Sequence, residues 1–480
     1  MTDGTSPPAE PGEFDVPGEP VAVHAPAGTV IGRRIGRTRR FLGIPFAEAP
    51  TGARRFAAPV PRGRFTEPFD ASRHGATAQA VTLFATTTVP EPSVPGADVL
   101  NLAVVAPAAD DCREPFPVMV WIHGGGFLAG SPASPWYDGR AFARDGVICV
   151  TVGYRLGVDG FAPLADVPAN LGLRDLLLAL DWVQENIAAF GGDPDQVTVA
   201  GQSAGAGAVL ALLSSPLGSG RFHRAVSLSG VTLDVGEDTA RDFLERLGHR
   251  LGVSPTRTGF GSRTVERLQQ GVIDLRSERG DGPLVLGPFV GDDILPVSIT
   301  DGFTVRGHDV PLLLGATGDE FDSGAVGGAT PEKSHPSPVD TAARAAGTRV
   351  TDTLFRAVCP RAARSRRKAD AGTWLYSFEW PSPVLGGAAH CVDIPYFFDV
   401  LDAPGVTQAL GPIPPAELAT LMHADLVAFV RGPEPAWARA TGAPGDPARE
   451  YGRPGAALAA DTTGVFDPVA RTLSERAEER

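Results

Sequence analysis

Cysteine is scarce in this chain, and its spacing is as informative as its number. The 480 residues contain four cysteines, Cys112, Cys149, Cys359 and Cys391. They lie too far apart in the sequence for the paired spacing that zinc sites and redox motifs use. We therefore expect free thiols, no metal site and a reducing compartment, which makes the cytoplasm the predicted location.

Long hydrophobic runs and export signals are also missing. No stretch of about 18 consecutive apolar residues occurs, so the sequence predicts no membrane-spanning helix. Residues 1–20 are acidic and rich in proline and glycine, and they lack the basic start and apolar stretch of a signal peptide. We expect residues 1–20 to form a flexible tail and residues 21–480 to form a single domain.

The chain has no excess of positive charge. Its 42 basic and 56 acidic residues give a net charge of −14, which argues against nucleic acid and anionic membrane surfaces as partners. The basic run from Arg361 to Lys368 is the exception, and its pattern favours a solvated helix face. Hydrophobic residues make up 43% of the chain, which is enough for a large core.

The most informative stretch that is present runs from Gly201 to Gly205, with Ser203 at its centre. The residues before it are β-branched and apolar, as in a buried parallel strand, and those after it are small helix formers. This strand–turn–helix context is what a nucleophile elbow requires, because the sharp turn exposes the serine hydroxyl. Glycine at 201 and 205 removes the Cβ atoms that would collide with the strand and the helix.

Strand-like and helix-like segments alternate along the middle of the chain. A helix is predicted over residues 171–190 from apolar residues spaced three and four apart, and a second one ends before Gly432. Continuous apolar runs predict buried parallel strands, and earlier segments resemble an antiparallel edge. The buried strands are predicted at residues 117–122, 147–152, 197–200, 225–228 and 311–314, and the edge strands at residues 21–24, 29–31, 41–47 and 99–105.

A glycine-rich loop follows the first of these buried strands. It reads His123-Gly124-Gly125-Gly126-Phe127, and three successive glycines leave the backbone amides free to face a reacting carbonyl oxygen. Such a loop, about eighty residues before the serine, predicts an oxyanion hole rather than a plain flexible turn. We expect His123 to hold the loop in place rather than to act as a base.

Together these motifs resemble the type-B carboxylesterase family, and the resemblance covers nearly the whole chain. Residues 41–56 are similar to the opening signature of the family, and residues 170–194 are similar to the segment that leads to the elbow. The resemblance implies an α/β-hydrolase fold, in which a large and mostly parallel central sheet is flanked by helices. It also implies N-terminal antiparallel edge strands, a helical capping region and no cofactor.

The resemblance also supplies the remaining site residues. The oxyanion donors are then the backbone amides of Gly125, Gly126 and Ala204. The acid corresponds to Glu320, after the strand at 311–314, and the base corresponds to His390, after the strand at 373–378.

Chain order alone leaves more than one histidine open. In α/β-hydrolases the order is serine, acid, histidine, which places His335, His390 and His423 behind the acid. His335 lies in a loop and His423 on a predicted helix, so His390 is the favoured base. The neighbouring Asp319 remains an alternative acid.

The implied reaction is hydrolysis of a small-molecule carboxylic ester through an acyl-enzyme. An amidase or carbamate hydrolase would use the same residues, and a non-catalytic binding module would be expected to lack one of them. The sequence makes no prediction about the oligomeric state.

The chain departs from the family pattern at four positions. Gln202 stands where the family has glutamate, which makes cationic choline esters less favoured substrates. Phe321 and Cys391 replace glycines after the acid and the histidine, and Val99 replaces a cysteine. The 70 positions from Glu320 to His390 are few for the capping region of the family.

Overall fold

We describe the chain from a computed structural model, which covers residues 17–78, 88–108, 114–279, 286–321, 338–432 and 434–471. The strands are β1 (Glu19–Ala25), β2 (Gly28–Ile35), β3 (Thr38–Pro45), β4 (Phe69–Asp70), β5 (Asn101–Pro107), β6 (Phe116–Ile122), β7 (Ile148–Val152), β8 (Gly192–Gln202), β9 (Arg224–Leu228), β10 (Leu312–Thr317), β11 (Thr373–Phe378), β12 (Pro447–Tyr451) and β13 (Ala459–Thr463).

Helices connect most of the strands from β6 onward. The α-helices are α1 (Arg140–Arg144), α2 (Gly157–Phe161), α3 (Leu171–Asn186), α4 (Ala204–Ser214), α5 (Glu237–Leu251), α6 (Arg257–Gly261), α7 (Val265–Arg279), α8 (Ile299–Gly302), α9 (Pro338–Val350), α10 (Val358–Ser365), α11 (Ile394–Phe397), α12 (Val406–Leu410) and α13 (Ala416–Arg431). Short 3₁₀ turns cover Gly52–Arg54, Pro135–Tyr137 and Ile187–Phe190, and a π-helical turn covers Thr351–Arg356.

Within the described residues, all the strands belong to one sheet of 13 strands. Their order is β1-β2-β3-β5-β7-β6-β8-β9-β10-β11-β12-β13, and β4 pairs with β2. Neighbours are parallel from β7 through β12, whereas the strands before β7 in this order form antiparallel pairs, except for the β2–β4 pair. The predicted α/β-hydrolase architecture, with its N-terminal antiparallel edge, is confirmed.

Both faces of the sheet are covered by apolar side chains. Along β6, Val118 and Val120 pack into one buried cluster, and Met119 and Trp121 pack into the other. This alternation follows from the two-residue period of a strand. The first cluster also receives α3 and α4, and the second receives α13, so the central strands read as continuous apolar runs.

The predicted element boundaries need small corrections. The helix predicted over residues 171–190 ends at Asn186 and continues as a 3₁₀ turn, and β8 begins at Gly192 rather than at Val197. β1 begins at Glu19, so the last two residues of the predicted tail belong to the sheet. Residues 1–16 of that tail lie outside the described residues.

The predicted solvated face at residues 361–368 is wrong at one position. Arg366 is 2% exposed, and its guanidinium donates to the carbonyl oxygens of Gly307 and Val310 and to the hydroxyl of Thr373. It therefore ties the end of α10 to the start of β10 and β11. Arg367 and Lys368 are exposed, as predicted.

Among the described residues, no helix is long and apolar enough to cross a membrane. Cys149, Cys359 and Cys391 are buried free thiols, and Cys112 lies outside the described residues.

A buried ion pair fixes α3 beneath the sheet. Asp175 is fully buried, and its carboxylate accepts from the Arg155 guanidinium at 2.6 and 2.8 Å and from the Arg155 backbone N–H at 3.1 Å. Arg155 also donates to the carbonyl of Ala57 at 2.7 Å. The pair therefore connects three separate segments of the chain.

We expect Asp175→Ala to lower the free energy of unfolding by about 3–5 kcal/mol, because it leaves the Arg155 charge buried without its counter-ion. Urea unfolding followed by circular dichroism measures the change. Asp181→Ala on the same helix is the matched control, since the Asp181–Arg221 pair is 40% and 31% exposed and should contribute less than about 1 kcal/mol. Equal effects of the two substitutions would contradict the structural role given to Asp175.

Candidate active site

Ser203 lies on the turn between β8 and α4 in a conformation that non-glycine residues rarely adopt. Its backbone angles are φ 55° and ψ −121°. Its N–H donates to the carbonyl of Leu228 at 2.9 Å, and its carbonyl accepts from the N–H of Gly207 at 2.8 Å. These bonds to β9 and α4 hold the strained turn in place.

The glycines on either side make the turn possible. A Cβ atom at Gly201 would lie 2.6 Å from the Gly205 carbonyl carbon, and one at Gly205 would lie 2.1 Å from the carbonyl oxygen of Ile122. Neither space admits a methyl group, because the first turn of α4 packs directly against β8 and the end of β6. This agrees with the sequence-based expectation that Cβ atoms at these two positions would collide with the strand and the helix.

Two loops, after β10 and after β11, are joined by backbone hydrogen bonds. The N–H of His390 donates to the carbonyl of Glu320 at 3.0 Å, and the N–H of Asp319 donates to the carbonyl of Ala388, also at 3.0 Å. The Asp319 carboxylate in turn accepts from the N–H of Ala388 at 2.9 Å. Asp319 therefore ties the loops together, and its carboxylate binds the Ala388 N–H.

Ser203, His390 and Glu320 form a continuous hydrogen-bonded chain. His390 Nε2 lies 2.9 Å from Ser203 Oγ, and His390 Nδ1 donates to Oε2 of Glu320. The other carboxylate oxygen of Glu320 accepts from the N–H of Thr317 at 2.9 Å. The Glu320 side chain is fully buried, so its charge is balanced by these two donors rather than by solvent.

Two kinds of neighbouring group stabilise a positive charge on the His390 ring. Burial lowers the pKa of the imidazole, and the Glu320 carboxylate beside Nδ1 raises it. The rings of Phe321 and Phe355 lie 5.2 and 5.0 Å from the imidazole, where aromatic faces stabilise a cation. The sequence identifies Phe321 only as a departure from the family pattern. No sequence pattern indicates that Phe355 lies next to His390.

The glycine loop lies directly against the serine. A Cβ atom at Gly124 would lie 3.1 Å from the Ser203 Cβ and 2.9 Å from the Gln202 carbonyl oxygen, which leaves no room for a side chain. Gly125 and Gly126 have φ of 105° and 61°, values that glycine adopts readily. Within the described part of the chain, the N–H groups of Gly125, Gly126 and Ala204 donate no hydrogen bond, so they remain available to a ligand.

His123 supports this loop from below. It is 1% exposed, its Nδ1 donates to the Gly124 carbonyl at 2.8 Å, and its ring stacks on Tyr154 at 4.6 Å. Burial lowers its pKa to about 4, so the ring is neutral at neutral pH. These contacts suit the structural role predicted for His123.

Of the other two candidate histidines, the one within the described residues, His423, does not reach the serine. His423 on α13 is 2% exposed, and its Nδ1 donates to the carbonyl of Phe397 at 2.8 Å. Its Nε2 lies 3.2 Å from Oδ2 of Asp145. His335 lies outside the described residues.

The helices of the expected capping region follow Glu320. α9, the π-helical turn and α10 precede β11, and the π-helical turn contributes Phe355 to the surroundings of His390. Residues 322–337 lie outside the described residues.

Comparison with known proteins gives consistent matches. The sequence model of the carboxylesterase family matches residues 19–337. The chain is 33% identical to the para-nitrobenzyl esterase of Bacillus subtilis over 412 residues, which cover 78% of this chain and 82% of that protein. It is 32% identical to the phenmedipham hydrolase of Pseudarthrobacter oxydans over 469 residues, covering 87% and 90% of the two chains.

Solved structures of similar proteins share the fold. A para-nitrobenzyl esterase superposes with a TM-score of 0.81 at 27% identity, covering 94% of this chain and 99% of that one. A carboxylesterase of Geobacillus stearothermophilus gives a TM-score of 0.77 at 30% identity with the same coverage.

Proposed function

The chain belongs to the carboxylesterase family and is a carboxylic ester hydrolase, and we propose that it cleaves small to medium neutral esters with Ser203, His390 and Glu320 as its catalytic triad. The observation that carries the proposal is the hydrogen-bonded chain from Ser203 Oγ through the imidazole to the buried Glu320 carboxylate. A nucleophile, a base and an orienting acid stand in that order.

In the first half of the proposed reaction, His390 Nε2 takes the proton of Ser203 as Oγ attacks the ester carbonyl. The imidazolium is stabilised by Glu320 on the opposite nitrogen, and the proton passes to the leaving alcohol. The amides of Gly125, Gly126 and Ala204 stabilise the negative charge on the carbonyl oxygen, with support from the positive end of α4.

In the second half, water attacks the acyl-enzyme. His390 again acts as the base, and it returns its proton to Ser203 Oγ as the acid product leaves. Each of these steps uses only side chains and backbone amides of the protein, so the proposal needs no cofactor.

A second candidate reaction is hydrolysis of amides or carbamates at the same residues. This candidate is supported by the similarity of the chain to a protein named phenmedipham hydrolase, which covers 90% of that protein's length. Amides have poorer leaving groups than esters, so they demand more from the proton that His390 delivers.

A panel of p-nitrophenyl esters of rising acyl length, one anilide and phenmedipham separates the two candidates. The proposal expects kcat/KM for the best ester to exceed that for the anilide by at least about a hundredfold. Equal or higher kcat/KM for the anilide or phenmedipham would assign the protein to the second reaction.

Gln202 makes a prediction about the charge of the alcohol. A neutral carboxamide cannot offset the desolvation of a quaternary ammonium group, so we expect 3,3-dimethylbutyl butyrate to have a higher kcat/KM than butyrylcholine. The two esters have the same shape, since carbon replaces the ammonium nitrogen in the first. Steady-state kinetics with both esters measures the ratio.

Gln202→Glu is the control for this prediction. It should shift the ratio toward butyrylcholine by about three- to tenfold, and the ratio cancels any effect of the new charge on His390 itself. A wild-type preference for butyrylcholine would refute the role given to Gln202 in selecting neutral esters.

We also propose the cytoplasm as the location, on the ground that the described cysteines are free thiols.

A further inference from the structure

Nε2 of His390 has a second polar neighbour besides the hydroxyl of Ser203. The carboxamide nitrogen of Gln202 lies 3.2 Å from Nε2, beside Ser203 Oγ at 2.9 Å. Both groups are donors, so they share the single lone pair of neutral Nε2. The Gln202 side chain therefore contacts the atom that receives the proton of Ser203.

The second partner of this carboxamide is the thiol of Cys391. Gln202 Nε2 lies 2.9 Å from Cys391 Sγ, and the two residues are 1% and 8% exposed. Cys391 has a φ of 74°, a conformation that is strained for a residue with a Cβ atom. The strained backbone thus carries a sulfur atom next to the carboxamide, at a position directly after the proposed base.

The hydrogen-bonding demand at Nε2 reverses during turnover. Neutral Nε2 accepts a hydrogen bond, whereas Nε2 that has taken the proton of Ser203 donates one. A carboxamide can meet both demands, since a half-turn about its last bond exchanges N–H for oxygen. A thiol also donates and accepts, but a carboxylate in place of the carboxamide could only accept.

We propose that Gln202 is a positioning residue that follows the protonation state of His390, and that Cys391 holds its carboxamide in both orientations. The inference rests on the function proposed above. In one orientation the N–H groups donate to neutral Nε2 and to the sulfur. In the other, the oxygen accepts from protonated Nε2 and from the thiol, so Nε2 and Cys391 both keep a partner as the proton moves.

The charged groups around His390 are compatible with this change in orientation of the Gln202 carboxamide. Glu320 faces the imidazole from the loop after β10, and Cys391 and Asp393 face it from its own segment. Burial raises the pKa of Cys391, even though His390 opposes the shift. Burial likewise raises the pKa of Asp393 to about 7. The thiol therefore keeps its proton near neutral pH and remains a donor.

The test compares substitutions at Cys391 in the full-length enzyme, with p-nitrophenyl butyrate as substrate. Cys391→Ala keeps the Cβ atom and removes the sulfur, so kcat should fall about two- to tenfold with KM unchanged, as expected for one lost hydrogen bond. Cys391→Ser keeps a donor and an acceptor and should stay within about twofold of wild type. Cys149→Ala removes a buried thiol on β7 and is the matched control, with wild-type kinetics expected.

The pH profile of kcat/KM provides a readout that a merely structural role would not move. Gln202→Glu places an acceptor with a negative charge at Nε2, which raises the pKa of His390. His390 must be neutral to take the serine proton, so the acidic limb should move to higher pH by about one unit. Cys391→Ala should leave that limb within about 0.3 units, because it removes no charge.

Three outcomes would overturn the inference: wild-type kcat in Cys391→Ala, equal loss in the Ala and Ser variants, or an unmoved acidic limb in Gln202→Glu. If Cys391→Ala does not fold, Cys391→Gly suits the positive φ and should show the same loss of kcat. Ser203→Ala separates this inference from the proposed function. An active Ser203→Ala refutes the triad itself, whereas an inactive one with unaffected Cys391 variants refutes only the role of the Gln202–Cys391 pair.

Discussion

Ser203→Ala should lower kcat for p-nitrophenyl butyrate by a factor on the order of 10⁴ to 10⁶, because it removes the atom that attacks the ester. The fold should survive, since the Ser203 backbone is held by hydrogen bonds to Leu228 and Gly207 that do not involve the hydroxyl. Stopped-time assays at high enzyme concentration, with circular dichroism as the check on folding, measure both quantities.

Residual activity above a few per cent of wild type in a folded Ser203→Ala variant would contradict the assignment of the nucleophile. Substrate binding should remain, because the glycine loop and the start of α4 are unchanged. A KM or inhibition constant near the wild-type value would show that only the chemical step has been lost.

Glu320→Gln should lower kcat by a factor of about 10² to 10⁴. The carboxamide keeps the shape of the side chain but removes the charge that stabilises the imidazolium. It also places an N–H or a neutral oxygen against Nδ1, which weakens the preference for the tautomer in which Nδ1 carries the proton. The full burial of the Glu320 side chain makes solvent unable to compensate.

Asp319→Asn is the matched control, because the two carboxylates are adjacent in the sequence. The Asp319 side chain accepts from the N–H of Ala388 rather than from His390, so this substitution should cost less than about tenfold in kcat. If Asp319→Asn has the large loss of kcat and Glu320→Gln has a nearly normal kcat, the acid has been assigned to the wrong residue.

The strand, turn and helix around Ser203 were predictable because each of their requirements is local. Glycine is required at 201 and 205 because Cβ atoms there would lie 2.6 and 2.1 Å from backbone atoms of neighbouring segments. The apolar run before Ser203 reflects a strand covered on both faces. The same holds for β6 and β7, whose continuous apolar sequences place them in the middle of the sheet. In such segments, a short stretch of sequence is enough to predict the structure.

The last two strands, β12 and β13, were not predicted from the sequence. β13 reads Ala459-Ala-Asp-Thr-Thr463 and is half-buried or exposed along its length, so it has no apolar pattern to mark it as a strand. Its structure comes from pairing with β12 at the edge of the sheet, which is a contact made by the folded chain rather than by local sequence.

The surroundings of His390 were also beyond local reasoning. Phe355 and Gln202 lie 35 and 188 residues away from it in the sequence, yet both reach its ring. Arg366 shows the opposite error, since a run of basic residues suggested solvent exposure, whereas its guanidinium is buried and donates to three acceptors. In each case the decisive partner is distant in sequence, so only the three-dimensional arrangement reveals it.

Covalent labelling shows directly whether Ser203 is the nucleophile. Phenylmethylsulfonyl fluoride or an organophosphate reacts with a serine that is activated by a neighbouring base, and it should modify one residue per chain with parallel loss of esterase activity. Mass spectrometry of the digested protein should place the label on Ser203, and the Ser203→Ala variant should remain unlabelled. A label on any other residue, or an active enzyme that stays unlabelled at Ser203, would contradict the account.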